Sequence, residues 1–219
     1  MAAERALRLA TVAGVVLAAC AGPRGPVNPE LRAAAQRRDA LAISDALEAL
    51  IAVGKDTPAD REYAYQAVNA HAQDTAADAY ARAAVTGRLV QLRGLLGASL
   101  IGDVEQWGMR SRELDPTFRD GAATRLLGTL YVIAPSSFLK HGDSEQGLEL
   151  LEQLEAAHPE VLENHLRLAE AYIALGDHAP AEPHLCACLA NRSALRPDEQ
   201  QLLDQLVRVT GAPDCLAQH

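Results

Sequence analysis

His184, Cys186 and Cys188 fall two residues apart in the run His184-Leu185-Cys186-Ala187-Cys188, the densest group of metal- and redox-competent side chains in this sequence. On a helix, His184 and Cys188 share a side while Cys186 points away. A tetrahedral zinc centre needs four ligands. This set would have to recruit Cys215 and His219 to reach that number, so no metal is expected. Cys188 falls at a small, buried helix position and reads as a core thiol. In an oxidising compartment a disulfide is the stronger expectation: once a helix over Pro197–Thr210 returns antiparallel, Cys215 can reach either Cys186 or Cys188. His71, His141, His158, His165 and His178 are scattered, with no carboxylate converging on them in the sequence. No nucleophile elbow, phosphate-binding glycine loop or metalloprotease motif is present. Catalytic residues, cofactors and an enzymatic activity are therefore not expected.

The fourth thiol, Cys20, implies different chemistry. It closes the run Leu17-Ala18-Ala19-Cys20 behind Arg5, Arg8 and an uncharged apolar stretch, the layout of a secretory signal. The stretch is too short for a bilayer-spanning helix, which needs about 20 residues. Small residues followed by cysteine resemble the bacterial lipobox, where the thiol receives a diacylglycerol. Residues 1–19 are thus expected to be a lipoprotein signal peptide and Cys20 the lipidated residue. Each buried acyl methylene contributes about 0.8 kcal/mol, and stable anchoring needs at least two chains or signals. Residues 20–29 follow as a tether, with Pro23, Pro26 and Pro29 at the three-residue period of polyproline II. At about 3.1 Å per residue it holds the remainder some tens of Å from the membrane. Ala21 follows Cys20 where lipoproteins retained in the inner membrane carry Asp. The expected location is the cell envelope, facing the periplasm on the outer membrane.

The elements that position these residues follow from composition. Of 219 residues, 49% are apolar but only 4% aromatic. Alanine is frequent, and it combines the best helix propensity with little volume. Such a core requires helices in close approach, giving an all-α domain over residues 30–219. A net charge of −9 argues against nucleic acid. Helix punctuation runs throughout. Asn28-Pro29 reads as a cap and first helical residue, Gly54 ends the apolar pattern of Leu41, Leu47, Leu50 and Ile51, and Thr57-Pro58 opens a second helix. From Asp74 to Gly102 the pattern fits one long helix or two shorter ones, with Gly87, Gly94 and Gly97 as candidate breaks.

The second half repeats. Leu127-Gly128 with Tyr131, and Leu168-Ala169 with Tyr172, each reproduce the Leu-Gly-x-x-Tyr part of a tetratricopeptide (TPR) repeat. Downstream, Gly176-Asp177 mark a turn, and Ala181, Leu185 and Cys188 supply small, large and small residues on a second helix. The preceding unit has Gly142-Asp143 at its turn, Gly147 and Leu151 on its second helix and Pro159 at its end. Its helices are separated by seven extra residues, 135–141. A degraded earlier copy runs through Gly102-Asp103 to Asp115-Pro116. Gly128, Gly147, Ala169 and Ala181 occupy places where a larger side chain would separate paired helices. Three or more stacked units bury a continuous core and leave a concave face lined by first helices. Repeat phase puts Arg125, Thr129, Val132, Leu166, Glu170 and Ile173 on that face. The insertion adds Phe138 and Leu139 as apolar groups projecting from a tight joint, and Arg125 is suited to a carboxylate.

Several of these features together resemble one family. They are Tyr80, Arg82, Gly87-Arg88, Asp115-Pro116, the run Gly121-Ala-Ala-Thr-Arg-Leu-Leu-Gly-Thr-Leu-Tyr131, the Pro-containing insertion, Gly142-Asp143, Pro159, Leu162-Glu163-Asn164 and Ala169-Glu170-Ala171-Tyr172. Over residues 63–189, and in its lipoprotein-like start, the chain resembles the TatT family, the T component of TPR-associated TRAP transporters. Residues 196–219 and Cys186, Cys188 and Cys215 have no counterpart in that pattern. The resemblance implies a periplasm-facing helical lipoprotein that contacts the transporter's substrate-binding protein and handles an apolar or amphipathic organic acid. A second copy of the chain is a further candidate partner. The competing expectation is an outer-membrane TPR scaffold that organises protein partners and handles no solute.

Overall fold

The computed structural model describes residues 25–70, 73–211 and 215. The signal peptide (1–19), the lipid site Cys20 and the candidate ligand His219 lie outside the described residues. Ten α-helices and no strand are found among those described: α1 (Pro29–Gln36), α2 (Ala40–Ala52), α3 (Pro58–Ala70), α4 (Ala76–Arg93), α5 (Ile101–Leu114), α6 (Ala122–Ile133), α7 (Ser144–Ala157), α8 (Leu162–Ala174), α9 (His178–Ala190) and α10 (Pro197–Thr210). No helix among the described residues is long and apolar enough to cross a membrane.

Local chemistry sets the boundaries. The Asn28 side chain accepts from the Glu30 N–H at the start of α1. The first helical stretch is interrupted at Arg38, which adopts φ +55°, and Asp39 then caps α2 by accepting from the Ala42 N–H. At α3 the Asp60 carboxylate accepts from the Thr57 N–H and hydroxyl and also from the Asn28 N–H, joining the start of α3 to the start of α1. The long stretch after Asp74 breaks at Gly94, whose φ of +55° and ψ of −130° turn the chain into a 3-10 segment, Gly94–Leu100, leading to α5. Gly102-Asp103, where the degraded earlier repeat copy is expected to begin, lies inside the first turn of α5.

Helix pairs α4–α5, α6–α7 and α8–α9 stack in order, with α1–α3 packed on one end and α10 on the other. The α6–α7 pair is held close by facing glycines. A Cβ on Gly128 would lie 2.7 Å from Leu151 and 3.0 Å from the Gly147 carbonyl, and one on Gly147 would lie 2.8 Å from the Gly128 carbonyl. Buried Ala79, Ala81, Ala83, Ala122, Ala123, Ala169, Ala171 and Ala181 allow similar close approach elsewhere. One core joins Leu31, Ile43, Leu47, Leu50 and Val68 to Ala81 and Val85. A second joins Leu166, Leu185, Cys188, Leu195 and Leu203, so α10 covers the last helix pair.

The stack curves until its ends meet. Arg196, the residue before α10, reaches Glu48 of α2 at 3.3 Å, across 148 residues of sequence. Glu48 also accepts from Arg88 of α4, with the Nε–Oε1 contact at 2.6 Å. First helices α4, α6 and α8, together with α2, the start of α5 and the start of α10, consequently line a common concave interior that stays open to solvent on one side.

Candidate binding cavity

That interior is a cavity of about 830 Å³, within the range of small-ligand sites. Its wall divides by chemistry. Leu95, Ile101, Val104, Leu126, Leu130, Ile133 and Phe138 make the apolar part, while Arg88, Arg119, Arg125, Arg167 and Arg196 make the cationic part. Four of these arginines are ion-paired: Arg88 and Arg196 with Glu48, Arg119 with Asp45, and Arg167 with Glu170. Arg125 is different. It donates to the neutral side-chain carbonyl of Asn164 at 2.7 Å and forms no ion pair among the described residues. One turn along α6, the buried Thr129 hydroxyl has no hydrogen-bond partner. A buried polar atom left in this way costs about 1–3 kcal/mol, a cost that a ligand oxygen would remove. Tyr80 lines the same space, and burial, followed by the charge of Glu48, raises its phenol above the usual value. It is therefore a neutral donor.

The structure divides the residues that repeat phase and the insertion placed on the binding surface. Arg125, Thr129 and Phe138 line the cavity. Leu166 does not: it is completely buried in the core between α8, α9 and α10. Ile173 packs against the same core, and Val132 packs against Leu151, Leu168 and Ala171. Glu170 is held by Arg167, 2.8 Å away. The insertion 135–141 also divides. Leu139 packs against Leu127, Tyr131 and Leu150, whereas Phe138 stays 38% exposed. A fully buried carboxylate, Glu105 of α5, fastens the insertion by accepting from the Lys140 and His141 backbone N–H groups at 2.9 and 2.8 Å. Nothing in the sequence pattern marks Glu105 for this role, whereas Tyr80 belongs to the residues that carry the family resemblance.

Among the thiols, Cys186 and Cys215 form a disulfide with Cα atoms 6.0 Å apart. Cys188 is free and fully buried, its Sγ directed at the Leu162 carbonyl, and burial pushes its thiol up to about 12. The scattered histidines do not all stay scattered. His165 and His184 meet, and Glu155 joins them.

Residues 138–185 match the tetratricopeptide repeat family model, covering the end of the insertion, α7, α8 and the first half of α9. The chain is thus a TPR-like all-helical protein, of a class whose repeats carry protein–protein contacts. No curated protein matches the chain.

Proposed function

We propose that the protein is a lipid-anchored binding component of a TRAP-type solute transport system, facing the periplasm, which takes an amphipathic organic acid into its central cavity and contacts the transporter's substrate-binding protein. One observation carries the solute part: an arginine without a carboxylate partner and an unpartnered buried hydroxyl, Arg125 and Thr129, stand where the apolar part of the wall meets its charged part. That arrangement fits a carboxylate whose hydrocarbon body lies toward Leu130, Ile133 and Phe138. A scaffold that docks only proteins on its outer surface has no use for such a lining. The TatT-like residues Tyr80, Gly121–Tyr131 and Asn164 support the transport setting, since Tyr80, Arg125 and Thr129 line the cavity and Asn164 orients Arg125. The membrane attachment rests on Cys20 and its lipobox-like run.

The test compares a medium-chain carboxylate with its methyl ester by displacement of an apolar fluorescent probe. The acid should bind at least tenfold more tightly, and Arg125→Gln should abolish that difference, because a hydrogen bond to a charged group contributes about 1.5–3 kcal/mol. Equal binding of acid and ester overturns the carboxylate site. Absence of all binding, with protein partners still captured, favours the scaffold. Separately, Cys20→Ser should move the protein from membranes to the soluble fraction; unchanged fractionation rules out the lipid anchor.

A further inference from the structure

Away from the cavity, three helices bring one side chain each to a single point: Glu155 from α7, His165 from α8 and His184 from α9. One ligand atom from each lies within 4.8 Å of the other two. His165 Nδ1 is 3.0 Å from His184 Nδ1 and 3.4 Å from Glu155 Oε1. Ligands at about 2.0–2.2 Å around a tetrahedral zinc ion stand roughly 3.3 Å apart, so both separations are close to those of a formed site.

The hydrogen bonding points the same way. His165 Nε2 lies 2.8 Å from the Pro159 carbonyl, which can only accept, so that nitrogen carries the proton. In the neutral ring Nδ1 is then a lone pair. It faces the Glu155 carboxylate oxygen, which can only accept, 3.4 Å away, a pairing of lone pairs that a cation between them would relieve, and the tautomer of His184 with an unprotonated Nδ1 adds a third ligand atom. A backbone carbonyl fixing the far nitrogen of an imidazole is also the usual support behind a metal-bound histidine. The side chains of His165 and Glu155 are 13% and 20% exposed, which shields the point from bulk water while leaving a path to it. The Tyr172 ring lies against His184 with centroids 6.1 Å apart, and the Tyr172 hydroxyl donates to Glu152, so the imidazole is held from behind.

We propose that Glu155, His165 and His184 form a binding site for a zinc-class divalent transition ion, with three protein ligands and a water in the remaining position. Two imidazoles and one carboxylate suit zinc, nickel or copper(II), whereas magnesium and calcium prefer oxygen alone. The ion pins three successive helices across the junction between the last two repeats. No thiol takes part: Cys188 is committed to the Leu162 carbonyl and Cys186 to its disulfide. The site is independent of the solute reading of the cavity.

The test titrates the full chain, without an added histidine tag, with zinc chloride against a chromophoric chelator, and follows the thermal midpoint in parallel. One zinc per chain and a raised midpoint are expected, with no change on adding magnesium. Glu155→Gln and His184→Gln should each weaken zinc at least tenfold, while His141→Ala and His178→Ala, at exposed positions, should not. Cobalt(II) should give a visible d–d spectrum without a thiolate charge-transfer band. The apo midpoints of the variants show whether they fold. Absence of zinc binding, binding unchanged in folded His184→Gln, or a thiolate band would overturn the site; a simple hydrogen-bonded histidine pair would then account for the cluster.

Discussion

The Arg125 guanidinium donates to the Asn164 side-chain carbonyl at 2.7 Å, joining α6 to α8 beside the cavity. Asn164 is itself fixed, because its amide donates to the His158 carbonyl at 3.1 Å. A neutral acceptor holds the arginine in place and leaves its charge unmatched. Asn164→Ala removes the acceptor and strands a buried carbonyl, so stability should fall by about 1–3 kcal/mol. Urea unfolding measures this, and an unchanged midpoint would show that the contact contributes nothing.

Gly128 and Gly147 set the distance between α6 and α7. Gly→Ala in a helix interior ordinarily stabilises by about 1 kcal/mol through propensity. Here each new Cβ would press on the opposite backbone carbonyl at 2.8 to 3.0 Å, and backbone cannot swing aside. Overpacking of this kind costs about 1–3 kcal/mol. Both single alanine variants should therefore lower the thermal midpoint, and a rise in either would refute the close-approach argument.

Glu105 controls the insertion. Glu105→Gln replaces a carboxylate that accepts from two backbone N–H groups with an amide that accepts through one oxygen and directs its own N–H at the other. A loss of about 1–3 kcal/mol follows, together with faster proteolysis within residues 135–141. Cleavage at the parental rate would mean that the packing of Leu139 alone holds the segment.

Cys188 should be chemically silent in the folded protein. Its thiol is fully buried and pushed up to about 12, so the reactive thiolate is scarce. In a Cys20→Ser chain, iodoacetamide should modify nothing under native conditions, one cysteine after unfolding without reductant, and three after reduction. Native labelling would place the free thiol at the surface.

The helices were legible because their signals are local. Asn28-Pro29, Thr57-Pro58 and the start of α10 at Pro197 are stop and start residues whose effect needs no tertiary context, and the facing glycines at 128 and 147 follow from repeat spacing. The cavity was legible only in part. Repeat phase located Arg125 and Thr129, but a period cannot say how far a helix is rotated toward its neighbour, so buried Leu166 was assigned to the open face. The meeting of Arg196 with Glu48 could not be read at all, since it depends on curvature accumulated over the whole stack. Glu155, His165 and His184 were hidden for the same reason, each lying on a different helix.

The closure at Glu48 should make the protein acid-sensitive. Burial raises the Glu48 carboxyl, but its bonds to Arg88 and the charges of Arg88 and Arg196 outweigh that and hold it below the ordinary value of 4.5. A carboxyl depressed in the folded state stabilises above its unfolded value, and that contribution disappears as pH falls through the folded one. The relevant window therefore lies below about 4.5. Glu48→Gln removes both the charge and the depression, so the variant should be less stable near neutral pH by about 1–3 kcal/mol. Its stability should also fall less steeply within that window than the parent's. Urea midpoints measured across the acid range decide the matter: parallel curves would mean that Glu48 does not hold the two ends of the stack together.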